Sequence, residues 1–181
     1  MQSRSSVDDT GTDRLVRIAL FGAIGAALAV VESMFPRPVP WVRLGLGHAA
    51  VLVVLWVDGV LPAFAVMAIK LVVSGLISGS IAQPTMIVAV IAGMASLGGM
   101  SLTIRLGSRT FIGPVGVSVV GALTYGIAQL GLVGAWLVKS PIWVLSPLIL
   151  APAVVAGFGT GVLSAFVLRR MGNGRDDEAS M

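Results

Sequence analysis

Long apolar runs separated by short polar stretches set the ground plan of this chain. Six such runs can be drawn, at about Leu15–Phe35, Leu44–Val57, Val60–Ser78, Pro84–Ile104, Pro114–Leu137 and Ile142–Leu168. Within each run the apolar residues are continuous rather than alternating with period two. That pattern predicts helices set in an apolar medium and argues against the strands of a transmembrane barrel. A helix needs about 20 apolar residues to cross the hydrocarbon core. The second run is short, about 21 Å at 1.5 Å per residue. It is expected to borrow length from the stretch before it or to start below the outer surface.

Prolines punctuate these runs. Pro62, Pro84 and Pro114 fall at or just inside the starts of the third, fourth and fifth, where a missing amide hydrogen costs little. Pro147 and Pro152 both fall inside the sixth run and are expected to kink or loosen one half of it. The polar ends, "MQSRSSVDDTGTD" and "GNGRDDEASM", have the composition of disordered tails. The reading is a disordered tail over 1–13, a six-helix membrane domain over 14–171 and a second tail over 172–181.

Composition supports the same class. Of 181 residues, 56% are hydrophobic and only 11% charged, and the mean hydropathy is +0.99. A soluble domain of this length needs a far more polar surface. The fold class is therefore all-α, a polytopic membrane protein with six transmembrane helices. The first run carries a small-residue "ALA" at Ala27–Ala29 that resembles a signal-peptide cleavage site. The acidic tail before it (Asp8, Asp9, Asp13) and its continuation to Phe35 favour a retained first helix.

Charge fixes the expected orientation. With the N-terminus inside, the cytoplasmic segments hold Arg4, Arg14, Arg17, Arg105, Arg109, Arg169, Arg170 and Arg175, while the outer loops hold Arg37, Arg43 and Lys139. The positive-inside rule then places both termini in the cytoplasm of a multi-pass cell-membrane protein. The net charge of +4 is read as this topology signal and not as a nucleic-acid surface.

Several chemistries are excluded or disfavoured at once. There is no cysteine, so disulfides and thiolate sites cannot form, and the one histidine rules out a multi-histidine metal site. No Walker-type glycine loop is present. "DDTGTD" at Asp8–Asp13 superficially resembles an aspartate-rich magnesium–diphosphate motif, but it lies in the polar tail with no clear partner motif. No catalytic residue, cofactor or metal site is predicted.

The remaining polar residues gather from the middle of the membrane outward, and the inner half has almost nothing comparable. Glu32 lies near the outer end of the first helix, Arg43 and His48 open the second run, Lys70 is near the middle of the third and Gln83 precedes the fourth. Tyr125 sits mid-way along the fifth, with Gln129 four residues outward on the same face. A charge such as that of Lys70 costs roughly 2.5–3.5 kcal/mol inside a bilayer and should face the protein interior or water. Each has an ordinary structural reading: Glu32 as a loop staple to Arg37 or Arg43, Lys70 as its neutralising partner, Tyr125 and His48 as packing residues. Their convergence predicts a polar cavity open to the outside and closed toward the cytoplasm, with Trp41 as a cap from the loop. A second surface is the small-residue ridge Ala19, Ala23, Ala27, beside Gly22, Ala26 and Gly25, Ala29. Such ridges let helix backbones approach closely, within the bundle or against a partner subunit.

Four stretches carry a family resemblance: "ESMFP" from Glu32, "RLGLGHA" at Arg43–Ala49, "KLVVSGLISGS" at Lys70–Ser80 and "GPVGVSVVGALTYGIAQL" at Gly113–Leu130. They resemble the Gx transporter family, whose members are often labelled heptaprenyl diphosphate synthase component I, and through it the substrate-binding (S) components of energy-coupling factor (ECF) transporters. The family usually has Lys in place of Arg43, Asn near His48, and His-Asn where this chain has Tyr125-Gly126. The resemblance implies an S-component-like bundle and an outward ligand site under the first outer loop. It also implies a first-helix alanine motif that docks a transmembrane coupling subunit tied to ATPase subunits. The expected function is therefore capture of a small vitamin-like solute, anionic given the donors Arg43, His48 and Lys70. Glu32 would orient those donors, with Tyr125 and Gln129 as the far wall. Two alternatives stand beside it: an accessory membrane protein of isoprenoid or quinone metabolism, and a structural subunit of a membrane redox complex.

Overall fold

The computed structural model describes residues 5–34, 45–107, 113–138 and 146–178. They form α1 (Ser5–Met34), α2 (His48–Val57), α3 (Val60–Ile77), α4 (Pro84–Leu106), α5 (Pro114–Leu132) with a π-helical extension at Val133–Val138, and α6 (Ser146–Glu178). No strand occurs among the described residues. α1 starts within the N-terminal stretch read as a polar tail, taking in "DDTGTD", and α6 runs on past residue 171.

Five helices are long and apolar enough to cross a membrane, the exception being α2. At 10 residues it spans about 15 Å. The six expected apolar helices are thus present, five of span length and one short. The composition of α2 explains its place. "HAAVLVVLWV" is apolar all round, and Ala49 through Leu55 are all buried, as expected of a helix surrounded by others. It packs against α1, α3, α5 and α6, and Val51, Leu52 and Val54 join Val66 and Met67 of α3 in the main core.

The inside-outside pattern is inverted relative to a soluble protein. Large apolar side chains such as Leu15, Leu61 (81% exposed), Leu106 and Phe158 face outward, while Lys70 (5% exposed), Glu32, Gln129 and Ser164 are buried. An outer solvent that welcomes leucine and excludes lysine is a bilayer. The chain is a multi-pass α-helical membrane protein.

Packing relies on small residues and hydroxyls, as it must where lipid supplies no hydrophobic drive between helices. α5 and α6 make the most extensive helix pair. A Cβ at Gly161 would lie 2.6 Å from Val115 Cα, and one at Gly157 would lie 2.8 Å from Ala122 Cβ. Across this seam the hydroxyls of Ser118 and Thr160 lie 2.8 Å apart, and Ser164 donates to the Ala49 carbonyl at 3.2 Å. At the opposite end of α2 from His48, Arg17 grips Asp58 with two hydrogen bonds of 3.1 and 3.2 Å, tying α1 to the α2–α3 turn.

The prolines sort by position. Pro84 and Pro114 open α4 and α5, as expected. Pro147 is the second residue of α6, so it sits in a first turn rather than in the helix interior, and only Pro152 is interior.

Candidate functional site

The site begins with a turn. The residues ahead of α2 read Gly45-Leu46-Gly47, and Gly45 adopts φ +84°, a left-handed conformation that disfavours any side chain. This turn aims the amides of Gly45 and Leu46 at α1. The buried Glu32 carboxylate accepts from Gly45 N–H at 3.0 and 3.1 Å and from Leu46 N–H at 2.9 Å. A carboxylate that takes amide hydrogens just ahead of a helix N-terminus also meets the positive end of the helix dipole. Glu32 therefore positions His48 through the backbone turn that precedes it.

Gly47 brings the two helices into contact. A Cβ there would lie 2.6 Å from the Gly25 carbonyl oxygen and 3.1 Å from Lys70 Cδ. Only glycine permits this approach, which lays the aliphatic stem of Lys70 across the α1–α2 junction.

Lys70 then reaches His48, with Nζ 3.1 Å from Nδ1. An ammonium has three donors and no acceptor capacity, so with Lys70 charged Nδ1 is the acceptor and the ring proton belongs on Nε2. Among the described residues His48 Nε2 has no hydrogen-bond partner, although it is buried, and the same holds for Ser96 Oγ on α4. The other face of the imidazole meets Tyr125 edge-on, with ring centroids 5.2 Å apart and planes at 71°.

The His48–Tyr125 contact lies between two cavities. One is walled by Glu32, Lys70, Met67 and Ala89 together with the aromatic pair. The other lies toward α6 and is walled by Ser96, Met100, Ser118, Gln129 and Thr160 with the same pair. Each offers about 20 Å³ to the centre of a water molecule, room for one or two waters at about 10–15 Å³ each.

Of the expected site residues, Glu32, His48, Lys70, Tyr125 and Gln129 come together, His48 half-buried and the other four buried. Trp41 and Arg43 lie outside the described residues. Gln83 is exposed as the N-cap of α4 and lines neither cavity. The sequence reading missed Ser96, the Ser118–Thr160 pair and the Gly45 and Leu46 amides. Serines in apolar helices are commonly satisfied by their own backbone, so nothing in sequence singles out Ser96. The positive φ of Gly45 was foreshadowed by the G-x-G spacing before a helix start. Among the described residues no three His, Cys, Asp or Glu side chains cluster as a metal site would require.

The alanine ridge faces away from the bundle. Ala19, Ala23 and Ala27 are exposed, whereas Gly22, Gly25 and Ala26 are buried. A Cβ on Gly22 would meet Ile69 Cγ2 at 2.7 Å, so the glycine side of α1 is the side packed on α3.

The family model described as heptaprenyl diphosphate synthase component I matches residues 21–167, which takes in every residue that lines the two cavities. No curated protein and no solved structure matches the chain.

Proposed function

The chain belongs to the heptaprenyl diphosphate synthase component I family, and from that premise we propose that it captures a small vitamin-like solute in the bundle for an ECF-like uptake system. It would act as the substrate-binding membrane subunit, without catalysing a reaction itself. The observation that carries this reading is the Lys70–His48 pair. A charged side chain is buried against an imidazole beside cavities in a lipid-facing bundle, and intramembrane charge at a cavity is costly enough to imply a task. Glu32 serves as scaffold, while Tyr125 and Gln129 form the far wall. Energy would come from a coupling subunit docked on the outward Ala19/Ala23/Ala27 ridge and its ATPase partners.

The test is to purify the full chain from its membrane and identify bound small molecules by native mass spectrometry. A stoichiometric small solute, or co-purification with an ATPase-linked subunit, is the expected result. Protein that is empty and also alone sinks the reading.

The family's description favours one second reading, an accessory membrane protein for a prenyl diphosphate synthase. It predicts co-purification with a soluble aspartate-rich synthase subunit, and a bound molecule that carries an isoprenoid chain. The described residues gather no acidic cluster for the magnesium a diphosphate would bring, which is why we place it second.

A further inference from the structure

Resting on the capture reading, the geometry points to a carboxylate as the group this site recognises, held by His48 Nε2–H and Ser96 Oγ on the wall of the cavity between α2, α4, α5 and α6. Buried polar atoms are almost always paired, and each exception calls for an explanation. Here the two unpaired atoms, His48 Nε2 and Ser96 Oγ, belong to residues that line one cavity. They come from helices that are distant in sequence and joined at this cavity.

The chemistry of the two atoms selects the ligand. Lys70 Nζ lies 3.1 Å from His48 Nδ1, so a charged Lys70 puts the ring proton on Nε2, which can then only donate. Ser96 Oγ–H can also donate. Two donors facing one space call for an acceptor with several lone pairs. The lysine charge on the far side of the imidazole polarises Nε2–H toward a negative partner. A carboxylate satisfies both atoms, whereas a cation or a pure donor meets the Ser96 Oγ lone pairs alone and leaves His48 Nε2–H unpaired. Beyond these donors the wall carries Met100, Ala122, Ile149 and Ala153, apolar surface that offers a carboxylate no competing hydrogen bond. Lys70 acts here as a positioning residue, through His48.

Histidine occurs once in the chain, so ¹⁵N-histidine labelling of the full protein in nanodiscs yields a single imidazole. The probe is acetate, a small carboxylate, with chloride at equal ionic strength and acetamide as comparisons. Expected is a ring with a bare Nδ1 and a protonated Nε2. Acetate shifts the Nε2 proton saturably, chloride does not, and acetamide binds about tenfold more weakly, as a neutral acceptor should. Ser96→Ala weakens acetate about tenfold and leaves the tautomer unchanged. Lys70→Met abolishes the fixed tautomer. A proton found on Nδ1, an Nε2 signal that ignores acetate, or a Ser96→Ala protein that binds acetate as the wild type does each overturns the assignment. These failures are separable from failure of the capture reading. Acetate bound at His48 in a protein that purifies empty and alone leaves this site standing without the transport role. A co-purified solute whose removal leaves Nε2 unmoved leaves the capture role standing without this site.

Discussion

At the scale of single residues, the site depends on where glycine is required and where a carboxylate is spent. Gly47→Ala would place a methyl 2.6 Å from the Gly25 carbonyl oxygen, and backbone cannot yield as a flexible side chain can. The expected cost is about 2 kcal/mol of overpacking, read as a lower melting temperature of the detergent-solubilised protein. Gly98→Ala is the matched control, since a Cβ there meets nothing within 4 Å and a mid-helix alanine is mildly stabilising. Glu32→Gln keeps the shape but offers one acceptor oxygen where three N–H contacts now converge. It should cost about 2 kcal/mol, with the loss appearing in thermal unfolding and in loosened His48 geometry. Much of this was legible beforehand. Glu32, His48 and Lys70 are conspicuous because ionisable residues are rare in apolar runs. Ser96 was not, because a hydroxyl in such a run carries no signal until its neighbours are known.

At the scale of elements, the short second run is the informative one. Its shortness is plain in the sequence, which predicts borrowed length or a start below the outer surface, but not that four other helices pack on it. That follows from tertiary packing of a helix with no polar face. The two ends of α2 are held differently, by Glu32 at the His48 end and by the Arg17–Asp58 bridge at the other. The Asp58 side chain is largely buried and Arg17 partly so, and the contact is a two-point fork. A double-mutant cycle of Arg17→Ala and Asp58→Ala should therefore give a coupling of about 1 kcal/mol, at the upper end for ion pairs open to solvent. Additivity of the two losses would show that α1 and the α2–α3 turn are held by packing alone. The sequence reading placed Arg17 in the inner charge belt and did not pair it, since a contact across 41 positions leaves no mark on local pattern. Pro147 shows the related error at a boundary. Drawing the sixth run from Ile142 put this proline inside a helix, whereas α6 begins at Ser146 and leaves it in the first turn.

At the scale of the whole molecule, two outward properties follow from the bundle and are open to direct measurement: which end faces the cell exterior, and what covers the alanine ridge. The absence of cysteine makes the first a clean measurement, because an introduced thiol has no background. Ala82→Cys, exposed between α3 and α4, should react with a membrane-impermeant maleimide in intact cells, and Gly11→Cys near the start of α1 only after permeabilisation. The reverse pattern would turn the His48 end of the bundle toward the cytoplasm and remove capture from outside. The ridge is decided by asking what bulk does on each side of α1. Gly22→Leu drives a side chain into Ile69 of α3 and should lower stability with or without a partner. Ala23→Leu adds the same kind of bulk where nothing in the bundle stands, so the isolated protein should melt unchanged and hold its solute unchanged. If a coupling subunit docks there, Ala23→Leu should cut its co-purification by about tenfold, roughly 1.4 kcal/mol of lost close approach in a small-residue interface. Undiminished co-purification would make the ridge lipid-facing surface, with its small residues serving only to keep α1 slender beside α3.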